Sequence, residues 1–297
     1  MRSTRRYGWK PDLPDHRDHL LAIHPRRLLT LPDAVDLRPQ CPAVYDQGDI
    51  GSCTGNATAG AIEFDRLAQG LADFTPSRLF LYYNGRALEG DTSTDAGAQI
   101  RDVVSQAANL GAPPESDWPY VPAEVTVEPD PQACSNALLH KVACYQRAQQ
   151  QLAQLQASLA AGKPFVFGFT VYSSFESDQV AETGIVPMPR LFESAVGGHA
   201  VLAVGYCNAT QRFIVRNSWG ASWGMAGYFA MPYAYVTSAR LASDFWVLQT
   251  ADVSPSPTPS PAPMPALPAK GRGTRKQSPT RAMFRKLKES RRARGLN

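Results

Sequence analysis

From Ser52 onward the apolar positions fall at helical spacing: Ala57, Ala61, Ile62 and Leu67 recur on one face, and Gly70 follows as a stop. The same period returns over 98–110, with Ile100, Val103, Val104 and Ala107 inward and Gly111 at its end. It returns again over 149–161, where Leu152, Leu155 and Leu159 precede Gly162. Beyond this point the pattern changes. Segments 164–171, 199–206, 212–217, 227–231 and 245–250 are short, rich in Val, Phe, Tyr and Trp, and separated by turn residues, as strands are. Helices first and strands afterwards predict an α+β protein with a helical lobe, a β lobe and a cleft where they meet. No internal repeat is visible.

The two ends break the pattern. Residues 1–36 are rich in Pro, Asp, Arg and His without a sustained period, which predicts an N-terminal extended arm rather than a domain. His16, His19 and His24 lie there among Asp12, Asp15 and Asp18, but with no helix or hairpin to converge them no metal site is expected. Residues 37–253 carry the patterned body. Residues 254–268, SPSPTPSPAPMPALP, read as a Pro/Ser-rich solvated linker, and 269–297 as a basic tail, disordered or bound to an anionic partner such as nucleic acid or a lipid surface. That tail holds eleven Lys or Arg against one Glu, so the net charge of +4 conceals a body near −6. Apolar runs such as PFVFGFTV fall short of the roughly 18 residues a membrane span needs. The N-terminus lacks the apolar block of a Sec-type signal, which leaves a cytoplasmic location or a signal-less export route.

Five cysteines, at 41, 53, 134, 144 and 207, show no CxxC spacing. Only Cys53 has chemical company, in YDQGDIGSCTGN. A cysteine acts as a nucleophile only as thiolate, and the start of a helix favours that form through its unpaired N–H groups and dipole. Such a thiol needs a histidine to hold the proton. His199 in AVGGHAVLAVGY begins a predicted strand behind two glycines, and Asn217 in FIVRNSWGASWG ends another, where it can orient the imidazole. Taken singly, each would read as a core residue. The other four cysteines read as structural, Gly224 and Gly227 as turn residues, and Trp118 and Tyr120 as packing aromatics.

Over roughly residues 35–250 these motifs, in this order, resemble the papain-like cysteine peptidases, and among them the short bacterial members without a long propeptide. The resemblance implies a two-lobe fold, a helical lobe plus an antiparallel β-barrel-like lobe with the active-site cleft between them. It makes Cys53 the nucleophile, His199 its base and later the acid, Asn217 the residue that orients His199, and Gln47 an oxyanion donor. Trp219 would cover the His199–Asn217 bond. Asp95, Ala96 and Gly97 would form the segment whose backbone pairs with the substrate, and Gly197, Gly198 and Ala200 would lie along the substrate path. Gly197 and Ala200 would wall an open pocket for a bulky apolar side chain two positions before the cleaved bond. The family's Cys three residues before the nucleophile is Ile50 here, and the position of its disulfide partner, near Thr94, is not Cys either. Thr54 stands where a Trp or Tyr is usual.

The implied activity is cysteine endopeptidase hydrolysis of polypeptide substrates through a thioester on Cys53, by a monomer needing no cofactor or metal. The alternatives are a Cys-dependent acyltransferase and an inactive binding protein of the same fold. A further expectation is that the arm runs along the cleft, with GWKPDLPDHRD near the active site, and partly covers the substrate slot of a latent enzyme.

Overall fold

The computed structural model describes residues 6–250, so the linker and basic tail lie outside the described residues. The N-terminal part gives β1 (Trp9–Lys10), α1 (Pro25–Leu28) and β2 (Ala34–Asp36). The helical part follows as α2 (Cys53–Ala68), α3 (Arg78–Leu88), β3 (Ala98–Gln99), α4 (Ile100–Asn109) and α5 (Pro131–Ala137). The rest is mostly sheet: β4 (Val142–Arg147), α6 (Leu152–Ala160), β5 (Phe165–Tyr172), α7 (Asp178–Thr183), β6 (Ala195–Cys207), β7 (Arg212–Arg216), β8 (Tyr228–Pro232), α8 (Tyr233–Val236) and β9 (Ala242–Thr250).

Helix α2 is buried on nearly every side, which its small residues permit. A Cβ on Gly55 would come within 2.5 Å of the Arg78 carbonyl oxygen, so glycine there sets how closely α2 and α3 pack. On its other flank α2 lies on β6, β9 and β5. Gly70, Gly111 and Gly162 all take positive φ just past the ends of α2, α4 and α6, so the predicted stops are the helix ends.

The strands form one antiparallel sheet in the order β4-β9-β5-β6-β7-β8, with β2 also paired to β6. The barrel-like lobe expected from the sequence is therefore an open sheet: among the described residues β4 and β8 are its ends and do not bond each other. Phe165, Phe167, Phe213 and Phe245 fill the core under it, Phe167 and Phe245 stacked at 5.5 Å. β1 pairs in parallel with β3, Trp9 beside Ala98 and Lys10 beside Gln99, which ties the N-terminal segment to the helical side.

Candidate active site

Cys53 is the first residue of α2 and has no exposed surface. Ahead of it the loop 45–52 is fixed from several directions. Arg78 donates to the Asp46 carbonyl at 3.0 Å and to Asn56 at 3.2 Å, and is itself held by a two-pronged pair with Glu115. The Tyr120 hydroxyl donates to the Gln47 carbonyl at 2.9 Å and also bonds the Ser52 hydroxyl. Ser218 donates its hydroxyl to Gln47 Oε1 at 2.6 Å, which fixes the amide so that its NH2 faces the other way. That NH2 donates to the Ile50 carbonyl at 3.0 Å and lies 3.4 Å from the Arg6 carbonyl.

Opposite stands β6, where His199 pairs with Phe169 of β5 and is fully buried. His199 Nε2 lies 2.8 Å from Asn217 Oδ1, and that same oxygen accepts the Ser218 N–H at 2.9 Å. An atom that accepts a backbone N–H is the amide oxygen, so Nε2 is the donor in the imidazole pair and Nδ1 is the nitrogen able to take a proton. Trp219 stacks on the ring at 5.0 Å and Phe169 meets it edge-on at 5.7 Å, an apolar casing that keeps water from the His199–Asn217 bond. The two halves converge at the sulfur. The N–H of Ala200, next to His199, points at Cys53, as does the N–H of Gly8. Those groups favour thiolate, yet burial dominates and pushes the thiol up to about 11.

Gly8 belongs to a segment that lies across both walls. The Gly8 carbonyl accepts the Ala98 N–H at 2.8 Å, and a Cβ on Gly97, whose φ is +79°, would come within 2.3 Å of that oxygen. Tyr7 sits edge-on to His199 at 6.0 Å and 6.3 Å from Trp219, and Arg6 pairs with Asp95 at 3.0 Å.

A sequence profile of the papain family cysteine proteases matches residues 31–245, which is most of the chain. The chain belongs to this family. The peptidase is 42% identical to xylellain, a cysteine protease of Xylella fastidiosa, over 84% of this chain and 98% of that one, with a TM-score of 0.79. It is 40% identical to an uncharacterised peptidase C1-like protein of Acanthamoeba polyphaga mimivirus over 83% of this chain and 87% of the relative. A cathepsin B-like protein of Giardia intestinalis is 30% identical over 67% of this chain and 68% of its own length. Relatives of bacterial, viral and protist source thus support the peptidase class more firmly than a bacterial origin.

Other residues read from the sequence fall as follows in the peptidase. Gly97 packs against Gly8 and precedes Ala98, whose N–H bonds the Gly8 carbonyl, while Ala96 is half-buried just before it. Gly197 lies against Tyr7, where a Cβ would come within 2.7 Å of the tyrosine. Gly198 lies against Trp9, and Ala200 is fully buried beside Cys53. The slot holding Trp9 is walled by Gly198 and by Gly168, so of the two expected pocket walls Gly197 faces Tyr7 instead and Ala200 faces the thiol. All five cysteines are free thiols. Asp12 and Asp18 are engaged with Arg147 and Arg101.

Sequence reasoning passed over the contacts that hold the site in shape. Asp95 accepts the Gly51 N–H at 2.9 Å and the Tyr82 hydroxyl at 2.6 Å, and Tyr82 in turn accepts the Gly97 N–H at 2.9 Å. One carboxylate thereby fixes the residue two before Cys53 to the opposite edge. Tyr120, read as a packing aromatic, bonds the Gln47 loop, and Arg78 lies over its ring at 3.9 Å. No local motif announces these roles.

Proposed function

We propose that the peptidase cleaves internal peptide bonds through a thioester on Cys53, and that its N-terminal arm holds it latent. The observation that carries this reading is the His199–Asn217 pair at 2.8 Å, set beside a helix-terminal cysteine whose open side is occupied by Arg6, Tyr7 and Gly8. In the reaction His199 Nδ1 takes the Cys53 thiol proton, the sulfur attacks the substrate carbonyl carbon, and a C–S bond forms as the carbonyl π pair moves onto oxygen. His199 passes the proton to the leaving amine as the C–N bond breaks. Water then attacks the thioester, giving its proton to His199, and the C–S bond breaks to release the acid. Gln47 Nε2 and the Cys53 backbone N–H receive the oxyanion, Asn217 keeps the imidazole in its working tautomer, and Trp219 excludes water. Gly97 offers its edge to the substrate backbone, as it does to the arm.

Two measurements test the chemistry. An epoxysuccinyl inhibitor should label Cys53 among the five thiols in peptide maps of the protein with its arm displaced; labelling elsewhere would reject the assignment. Gln47→Ala should lower kcat about 100-fold with little change in KM, because the amide is needed when negative charge develops. A change confined to KM would mean that Gln47 only binds substrate.

The arm's anchor makes latency depend on pH. Asp12 is buried against Asp244 of β9, accepts Trp246 Nε1–H at 2.8 Å and the Arg101 N–H of α4 at 3.1 Å, and lies 3.5 Å from Arg147 of β4, an arginine it shares with Asp18. Burial first, and the Asp244 charge second, push Asp12 up to about 7 from an ordinary value of 3.8. A docked arm therefore binds a proton that a released arm loses, and docking weakens as pH rises from about 4 to about 7. Turnover by wild type relative to a variant with the arm displaced should rise from pH 5 to about pH 7 and level off above it. A flat ratio would remove Asp12 from the latch.

A further inference from the structure

The arm does more than cover Cys53: one of its side chains fills a slot that the body was built to offer something else. The Trp9 indole lies flat over the paired strands β5 and β6, where a Cβ on Gly168 would stand 1.9 Å from the ring and one on Gly198 would stand 2.7 Å from it. Two glycines on adjacent strands leave a flat slot beside the Gly97–Ala98 edge. At its end Trp9 Nε1–H donates to Asp244 Oδ2 at 3.1 Å.

Asp244 is 2% exposed and takes φ +60°, a left-handed backbone that Asp and Asn tolerate better than most side chains. Its Oδ1 accepts Arg147 Nη2–H at 2.9 Å. Its Oδ2 accepts from Trp9 and, at 2.8 Å, from the Asp12 N–H, so both donors to that oxygen come from the arm. When the arm leaves, Oδ2 loses both bonds, and a ligand that fills the slot without a donor would bury that oxygen unmatched, which is costly. The charge balance changes as well. Asp12 and Asp18 leave with the arm, while Arg147 stays paired with Asp244 at 2.9 Å. The vacated slot thus holds a carboxylate already neutralised by arginine. It calls for a hydrogen-bond donor and has no surplus of negative charge to attract a cation.

Resting on the endopeptidase reading above, we propose that Asp244 is a specificity-determining residue: the slot accepts the substrate side chain second from the cleaved bond and selects a flat neutral ring with a donor at its tip, tryptophan first. The apolar pocket expected from the sequence is refined accordingly, since Phe or Leu would fill the slot and leave Oδ2 unmatched. A site that hydrogen-bonds its ligand discriminates strongly against an isostere lacking the donor.

The test uses the full chain carrying Gly8→Val, which displaces the arm, and fluorogenic peptides that differ only at the second position. A Trp peptide should exceed its Phe counterpart in kcat/KM by about 10-fold, the scale of one hydrogen bond to a charged group. In the further variant Asp244→Gly, which suits the left-handed backbone, that ratio should collapse to near one; Asp244→Asn, which keeps an acceptor oxygen, should retain part of it. Equal rates for Trp and Phe before substitution, a ratio that survives Asp244→Gly, or a preference for Lys or Arg over Trp would each overturn the proposal while leaving the peptidase reading intact. Failure to cleave any peptide would overturn that reading and this one together.

Discussion

Replacing Gly8 by valine should raise peptide turnover by the full-length protein on the order of 1000-fold. The reason is steric and specific to the arm. A Cβ at position 8 would stand 1.7 Å from the Gly51 carbonyl oxygen, a backbone atom in a loop pinned by Asp95. Neither side can yield, so the arm must leave its register. Doing so exposes Trp9, whose burial is worth about 2–3 kcal/mol, and breaks the ion pairs of Asp18 with Arg101 and Arg147; a total near 4 kcal/mol corresponds to about 1000-fold. No group of the catalytic machinery is altered.

Thiol chemistry gives a second readout of the same event. In the docked form burial holds the Cys53 thiol at about 11, so at neutral pH iodoacetamide should react slowly, whereas Gly8→Val admits water and should speed alkylation of Cys53. If Gly8→Val and wild type match in both turnover and alkylation, the arm does not restrain the enzyme. Faster alkylation without faster turnover would mean that the arm shields the sulfur yet is no barrier to substrate.

The chemistry of this site was more legible in the sequence than its architecture. Cys53, His199 and Asn217 could be singled out because the roles proposed for them, nucleophile, base and orienting amide, demand particular residue types, and each stands in a marked local setting: a helix start, a glycine-flanked strand, a strand end. The three longest predicted helices appear because their apolar faces and glycine stops are local signals. Helix α3 was missed because Arg78 and Arg86 interrupt its apolar pattern, and both are buried by partners far along the chain, such as Glu115 and the Val125 carbonyl. Strand β4 escaped because it lies at the sheet edge, mostly half-buried or exposed, and has no alternating apolar face. Asp95, Tyr82 and Asp244 matter through contacts between residues 13 to 235 positions apart, which no short window can show. The arm falls between these cases: its lack of period was visible, but its seating depends on Gly51, Gly97, Gly168 and Gly198 giving it room.

Cys53→Ala and His199→Ala, each placed in the Gly8→Val background, should both reduce kcat on the order of 10^6-fold, and the double variant should lose no more than either alone. The sulfur and the imidazole act as one device: without the ring the thiol keeps its proton, and without the thiol the ring has nothing to activate. Removing either therefore removes the whole step. What survives comes from groups that do not depend on the pair, chiefly Gln47 Nε2, held by Ser218 at 2.6 Å, and the edge at Gly97 held by Tyr82 at 2.9 Å. Single-turnover kinetics on one fluorogenic peptide measures all three variants. Losses that multiply in the double variant would show that Cys53 and His199 act independently, and the thioester mechanism built on their proton exchange would have to be abandoned even though the fold is that of a peptidase.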